Sequence, residues 1–139
     1  MTTSRCDRSI RIAAAVVVDS AGKVLLVRKR GTQAFMQPGG KIAPDESAAE
    51  ALAREINEEL GCTLEGTPRP LGIFTAPAAN EPHTNVEAEL FAVGLAGNIV
   101  VAAEIEEALW HDPADDTGLI LAPLTRVHVL PLVQSGSLA

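Results

Sequence analysis

Aromatic side chains are scarce. The 139 residues hold no tyrosine, three phenylalanines and one tryptophan, so a ligand ring clamped between two aromatic planes is hard to build. Cysteine is scarce too: Cys6 and Cys62 are the only two, and their spacing suggests neither a metal knuckle nor a disulfide framework. Basic residues number 11 against 18 acidic ones, a formal charge of −7 with a pI near 4.9. That balance argues against nucleic acid as the main partner and against an anionic membrane surface, because both reward basic patches. Long apolar runs are missing. The longest uncharged run, residues 90–103, is interrupted by Gly94, Gly97 and Asn98 and is too short to span a bilayer. Residues 12–18 are apolar but too few for a signal sequence, and they end at Asp19 without a cleavage site. A cytoplasmic, reduced protein is the expectation.

What is present suffices for one globular domain. Hydrophobic residues make up 47% of the chain and the mean hydropathy is +0.18, enough for a sizeable core. Residues 1–9 read as a polar tail, 10–133 as the domain and 134–139 as a short C-terminal tail. Residues 10–18 and 23–29 are rich in Val, Leu and Ile and flank the turn signal Asp19-Ser20-Ala21-Gly22, which predicts a β-hairpin. Residues 30–45 carry Gly31, Pro38, Gly39, Gly40 and Pro44 and read as a loop. Further strands are expected at 71–76, 85–95 and 107–111, with a closing helix over 124–133 that Pro131 shortens. Trp110 and Phe91 are expected in the core.

Residues 47–61 are the clearest helix. Ser47 and Glu50 have capping-box spacing, and Gly61 is a natural stop. Ala49, Leu52, Ala53, Ile56 and Leu60 recur on one face. The acids crowd here: Asp45, Glu46, Glu50, Glu55, Glu58 and Glu59 stand against Arg54 alone. Glu55, Glu58 and Glu59 are three and four residues apart, so they share an arc of roughly 100° beside the apolar face. Like charges at such spacing destabilise a helix by about 0.2–0.5 kcal/mol per pair. A solvated helix would interleave lysines. Uncompensated carboxylates instead point to a bound cation, and hard oxygen donors suit Mg²⁺. The alternative is a plain acidic helix preceded by a tight Gly39-Gly40 turn.

The spacing favours the cation. From Gly40 there are five residues to Glu46, seven more to Arg54-Glu55, then Ile56, Asn57, Glu58-Glu59, Leu60 and Gly61. This run resembles the signature of the Nudix (MutT-like) hydrolase family in every fixed letter. Chance occurrence is of order 10⁻⁶ at ordinary residue frequencies. Small departures are Cys62 at the last aliphatic position, Asp45 where glycine is frequent, and Gln37 where an apolar residue usually precedes Pro-Gly-Gly.

The resemblance implies an α/β/α sandwich, a mixed sheet between helices. It implies an Mg²⁺- or Mn²⁺-dependent hydrolase of a nucleoside diphosphate linked to another group. Glu58 and Glu59 would be principal metal ligands, and Glu55 a further ligand or base. The carbonyl of Gly40 or Gly39 would complete the shell. Arg54 would hold the glutamates, and Glu46 would support them. A further acid is expected from a loop opposite the helix: Glu104 in AEIEEALW stands in the right place, with Glu106 and Glu107 as competitors. Arg28 and Arg30 alternate on the second strand and could meet substrate phosphates, although solvated strand-end charges explain them as well. Phe35 and Phe74 could stack on a base or pack in the core. His83 is the one histidine in a loop suited to catalysis.

Two substrate classes stay open: a nucleoside triphosphate, native or oxidised, and a nucleotide sugar such as ADP-ribose. Pro77, 16 residues past Gly61, stands near a proline associated with ADP-ribose pyrophosphatases. The tyrosine of dinucleoside polyphosphate hydrolases is absent. The partner is a small nucleotide, with no nucleic acid and no membrane, and a homodimer is admitted. The rival readings are a non-catalytic nucleotide-sensing Nudix module, which degraded acids would favour, and an acidic helix used for partner binding.

Overall fold

The structure is a computed structural model that describes residues 8–115 and 118–136. Cys6 and residues 1–7 of the expected tail lie outside the described residues, as do 137–139. Seven strands run in chain order: β1 (Arg8–Val16), β2 (Val24–Lys29), β3 (Phe35–Met36), β4 (Gly39–Lys41), β5 (Thr63–Pro77), β6 (Thr84–Ala96) and β7 (Ile105–His111). Helix α1 (Ala48–Leu60) joins β4 to β5, and a π-helical turn at Thr125–Val129 runs into α2 (Leu130–Gln134). Arg8 and Ser9, expected in the tail, belong to β1.

The strands form two sheets. One is mixed, in the order β4-β1-β6-β5, with β1 parallel to β6 and antiparallel to β4. The other is antiparallel, in the order β3-β2-β7. The expected β1–β2 hairpin is therefore corrected. Its turn exists, with Asp19 Oδ1 accepting from the Ala21 and Lys23 N–H groups at 2.9 Å and an antiparallel bridge between Val18 and Val24. Beyond it the two strands part into different sheets.

Side-chain alternation explains why both strands are almost wholly apolar. Ala13, Ala15, Val17, Leu25 and Val27 face a core containing Leu52, Ile56 and Leu60 of α1. Ala14, Val16, Val24 and Leu26 face a second core containing Leu124, Val129 and Leu130 of the C-terminal helix. Strands covered on both faces read as continuous hydrophobic runs. This is the α/β/α sandwich.

Helix α1 starts and stops as its sequence requires. Ser47 Oγ accepts from Glu50 N–H at 3.1 Å, and Glu50 Oε1 accepts from Ser47 N–H at 2.8 Å. Gly61 takes the left-handed conformation at φ 67°, and its N–H donates to the Asn57 carbonyl. Ala51 is buried in place of the expected Ala53. Pro131 does not shorten the last helix. It sits in the first turn of α2, where a missing N–H is tolerated, and the wider π turn precedes it. Phe91 is core, but Trp110 is 39% exposed.

Candidate active site

The segment just before α1 is held by the sheet. Residues 39–41 form β4 against β1, pairing Gly39 with Ala14 and Gly40 with Ala13. Gly39 has φ 148°, a backbone state that side chains rarely adopt, and a Cβ there would run into Ala13 O and Ala14 Cα. A Cβ on Gly40 would collide with the Glu55 carboxyl group. Gly39 thus lets β4 close on β1, and Gly40 lets it close on α1.

A cavity of about 390 Å³ opens at this junction, lined by Gly39, Gly40, Glu55, Glu58, Glu59 and Glu104 together with Lys29, Lys41, Glu81 and Ala103. The helix arc inferred from spacing therefore does face one space. Glu59 is 6% exposed, and its Oε1 accepts from Gly39 N–H at 3.2 Å. The loop after β6 covers it: Ala102 N–H donates to the Glu59 carbonyl and Val100 N–H to the Leu60 carbonyl, both at 2.9 Å. Burial pushes the Glu59 carboxyl up to about 7. The Gly39 N–H opposes that rise, Glu55 adds to it, Lys29 lowers it and Glu104 raises it. Ionising Glu59 is costly in the protein alone, so the site favours a cation beside it.

Arg54 organises the other acids. Its Nη2 donates to Glu46 Oε1 and to the Lys41 carbonyl, and its Nε donates to Glu46 Oε2 at 3.2 Å. Its Nη1 donates to Glu55 Oε2 at 2.9 Å and lies 3.7 Å from Glu58 Oε1. Glu46 also accepts from Ala43 N–H at 2.9 Å. The Arg54 hydrogen bonds hold Glu46 below the usual carboxylate range, and the same contacts raise the Arg54 pKa further. The all-oxygen donor set fits a hard divalent ion. Among the described residues, no three such side chains are gathered around one point.

The three acids expected opposite the helix have different neighbours. Glu104 lines the cavity, while Glu106 pairs with Arg30 and Glu107 with Arg28. Ala103, just before Glu104, has φ 55°, an unusual state for alanine that marks a tightly constrained loop.

Two expected substrate contacts are displaced. The β2–β7 register shifts between Arg28 and Lys29, and this irregularity breaks the alternation that would put Arg28 beside Arg30. Arg28 turns away, bonded to Glu107 Oε1 at 2.9 Å and to the Thr32 carbonyl at 2.8 Å. Lys29 and Arg30 line a second cavity of about 310 Å³ that adjoins the first. Phe35 is 6% exposed in the second core, because it is locked into β3 against Arg28 and Leu121. Phe74 packs against His128, ring centroids 5.1 Å apart. His83 is exposed in the β5–β6 turn and lines neither cavity. Sequence reasoning missed Lys29, Lys41 and Glu81. Lys41 directly follows Gly39-Gly40, a signal that was available; Glu81 is brought in only by the fold.

A family model for the NUDIX domain matches residues 8–128. The chain belongs to the Nudix family. An uncharacterized Nudix hydrolase, YvcI, of Bacillus subtilis (strain 168) is 31% identical over 123 residues, covering 86% of this chain and 77% of that one. An RNA pyrophosphohydrolase of Pseudomonas fluorescens (strain SBW25) is 42% identical over 50 residues, 36% of this chain and 31% of that one. The fold is that of the MutT protein from Methanosarcina mazei Go1, with a TM-score of 0.76 at 23% identity, covering 96% of this chain and 99% of the other. No helix among the described residues of this chain is long and apolar enough to cross a membrane.

Proposed function

We propose that this Nudix domain hydrolyses the pyrophosphate linkage of a small nucleoside diphosphate derivative with Mg²⁺ or Mn²⁺. The substrate is a nucleoside triphosphate, native or oxidised, or a nucleotide sugar. One observation carries the reading: the buried Glu59 shares a cavity with Glu55, Glu58 and Glu104, yet among the described residues no cationic side chain is bonded to it. Glu58 and Glu59 would hold the ion, with Glu55 as a further ligand or base and the Gly40 carbonyl completing the shell. A bound divalent ion neutralises pyrophosphate charge and makes a coordinated water more acidic.

The chain's own residues do the rest. Arg54 fixes Glu46 and Glu55 through directional hydrogen bonds and so presents the acids in one geometry. Lys29, Lys41 and Arg30 line the two cavities and supply positive charge for phosphate oxygens. Glu104 faces the acid helix across the cavity and can accept a proton from the attacking water. Water attacks phosphorus, the bridging P–O bond breaks, and the leaving phosphate carries away the bond's electron pair.

The test is phosphate and pyrophosphate release from a mixed panel of nucleotides and nucleotide sugars, with and without Mg²⁺, with products analysed after reaction in ¹⁸O-labelled water. Metal-dependent turnover with label in one product is expected. Tight nucleotide binding without turnover of any panel member would assign the domain to ligand sensing instead.

A further inference from the structure

The second cavity leads away from the acids. At its far end it merges with a smaller one of about 70 Å³, and the two share Ile12, Ala14, Met36, Ala78, Ala79 and Val86. This end is an apolar slot of mostly small side chains, suited to a flat ring. Gln37 also lines both cavities. It is 5% exposed, and its Nε2 has no hydrogen-bond partner. Its Oε1 accepts from Thr125 Oγ1 at 2.7 Å, and Thr125 is fully buried.

The direction of that bond fixes what Gln37 offers. As it stands, the threonine hydroxyl hydrogen and the amide oxygen satisfy each other, and only the amide N–H donors remain open. Reversing the amide would strand three groups: the hydroxyl hydrogen, the amide oxygen and one amide hydrogen. The observed orientation leaves fewer buried groups unpaired. The unpaired polar groups that Gln37 holds buried beside the slot are therefore donors, not an acceptor. The backbone here is pinned, since Ala15 N–H donates to the Pro38 carbonyl at 2.9 Å. Gly40 lies three residues on from Gln37, about 10 Å of extended chain, which leaves room for a sugar between a base and the phosphates.

We propose that Gln37, locked by Thr125, determines base specificity: its amide donor selects a base that presents a ring carbonyl where adenine or cytosine presents an amino group. A carbonyl satisfies the orphaned donor. An amino group in its place faces a donor with a donor and leaves both unpaired. This inference rests on the nucleotide-hydrolase reading, and it adds the class of base.

The experiment compares matched pairs, dITP with dATP and dUTP with dCTP, by kcat/KM with Mg²⁺. Binding of the corresponding monophosphates without metal is measured on the same protein. The carbonyl member of at least one pair is expected to be favoured at least ~10-fold. In Gln37→Leu that ratio is expected to fall to within about threefold of unity. Thr125→Val keeps the amide but frees it to rotate, and it should also shrink the ratio, a change that loss of packing alone would not cause. Melting curves establish that both variants are folded. Equal preference within both pairs in the unaltered protein overturns the inference, as does a preference that survives both variants. If no nucleotide is turned over, the hydrolase reading fails separately. The monophosphate affinities then decide: a carbonyl preference that depends on Gln37 upholds base selection, and equal affinities overturn it.

Discussion

The carboxyl group of Glu55 lies so close to the Gly40 backbone that a Cβ on Gly40 would stand 2.6 Å from Oε2 and 2.8 Å from Oε1. Strand β4 and helix α1 therefore meet at a point where a methyl group would displace the Glu55 carboxylate. Gly40→Ala is expected to push Glu55 off Arg54 and lower kcat at least ~10²-fold, because a misplacement of 1 Å at a reacting centre has that effect. Turnover and melting temperature, measured together, check this: the loss of rate should greatly exceed what the loss of stability explains.

Glu58→Gln and Glu59→Gln should each lower kcat at least ~10²-fold, since each removes charge that acts mainly on the transition state. Their stabilities should diverge. The Glu58 side chain is half exposed, so its amide should leave melting unchanged. Glu59 is buried, and a neutral amide there removes an ionisation penalty, so the metal-free variant should melt higher above pH 7. Unchanged kcat in both variants would overturn the assignment of these residues.

The acidity of Glu59 also sets a pH dependence. Its folded pKa, near 7, lies above its ordinary value of 4.5. The folded chain thus binds the proton more tightly than the unfolded chain. Its contribution to stability is complete below pH 4.5 and is lost as pH rises through 7, by about 3 kcal/mol at most. Urea melts of metal-free protein at pH 4.5–8 should show this decline relative to Glu59→Gln, and millimolar Mg²⁺ should reverse much of it.

Arg54→Lys should lower kcat by about tenfold or more with a smaller change in KM. A lysine ammonium is a point charge and cannot span Glu46, Glu55 and the Lys41 carbonyl at once. The split between kcat and KM, with weaker Mg²⁺ binding by titration calorimetry, distinguishes this positioning role from simple charge loss.

Local signals made α1 legible. Ser47, Glu50 and Gly61 are short-range devices, and the structure uses all three. Strand β5 was only half read, because Gly66, Pro68, Pro70 and Gly72 interrupt it. It lies at a sheet edge, where prolines are tolerated, and its register with β6 shifts twice. The same kind of irregularity at Arg28 and Lys29 separates Arg28 from Arg30, which alternation does not foresee because it assumes an unbroken ladder. The distance from Trp110 singles out Glu104, which lines the cavity, but its separation from Glu106 and Glu107 rests on their arginine partners. Glu81 carries no local signal. Gln37 stood out as a departure from the family pattern, yet its meaning required Thr125, 88 residues away.

Strand β4 is three residues long and pairs only with β1. Such short margins open at lower free energy than a sheet interior. Gly39 and Gly40, which the proposed mechanism uses, are thus attached where the architecture yields first. Mild denaturant should silence hydrolysis while far-ultraviolet circular dichroism is still unchanged, and tight substrate should widen the range over which the enzyme works.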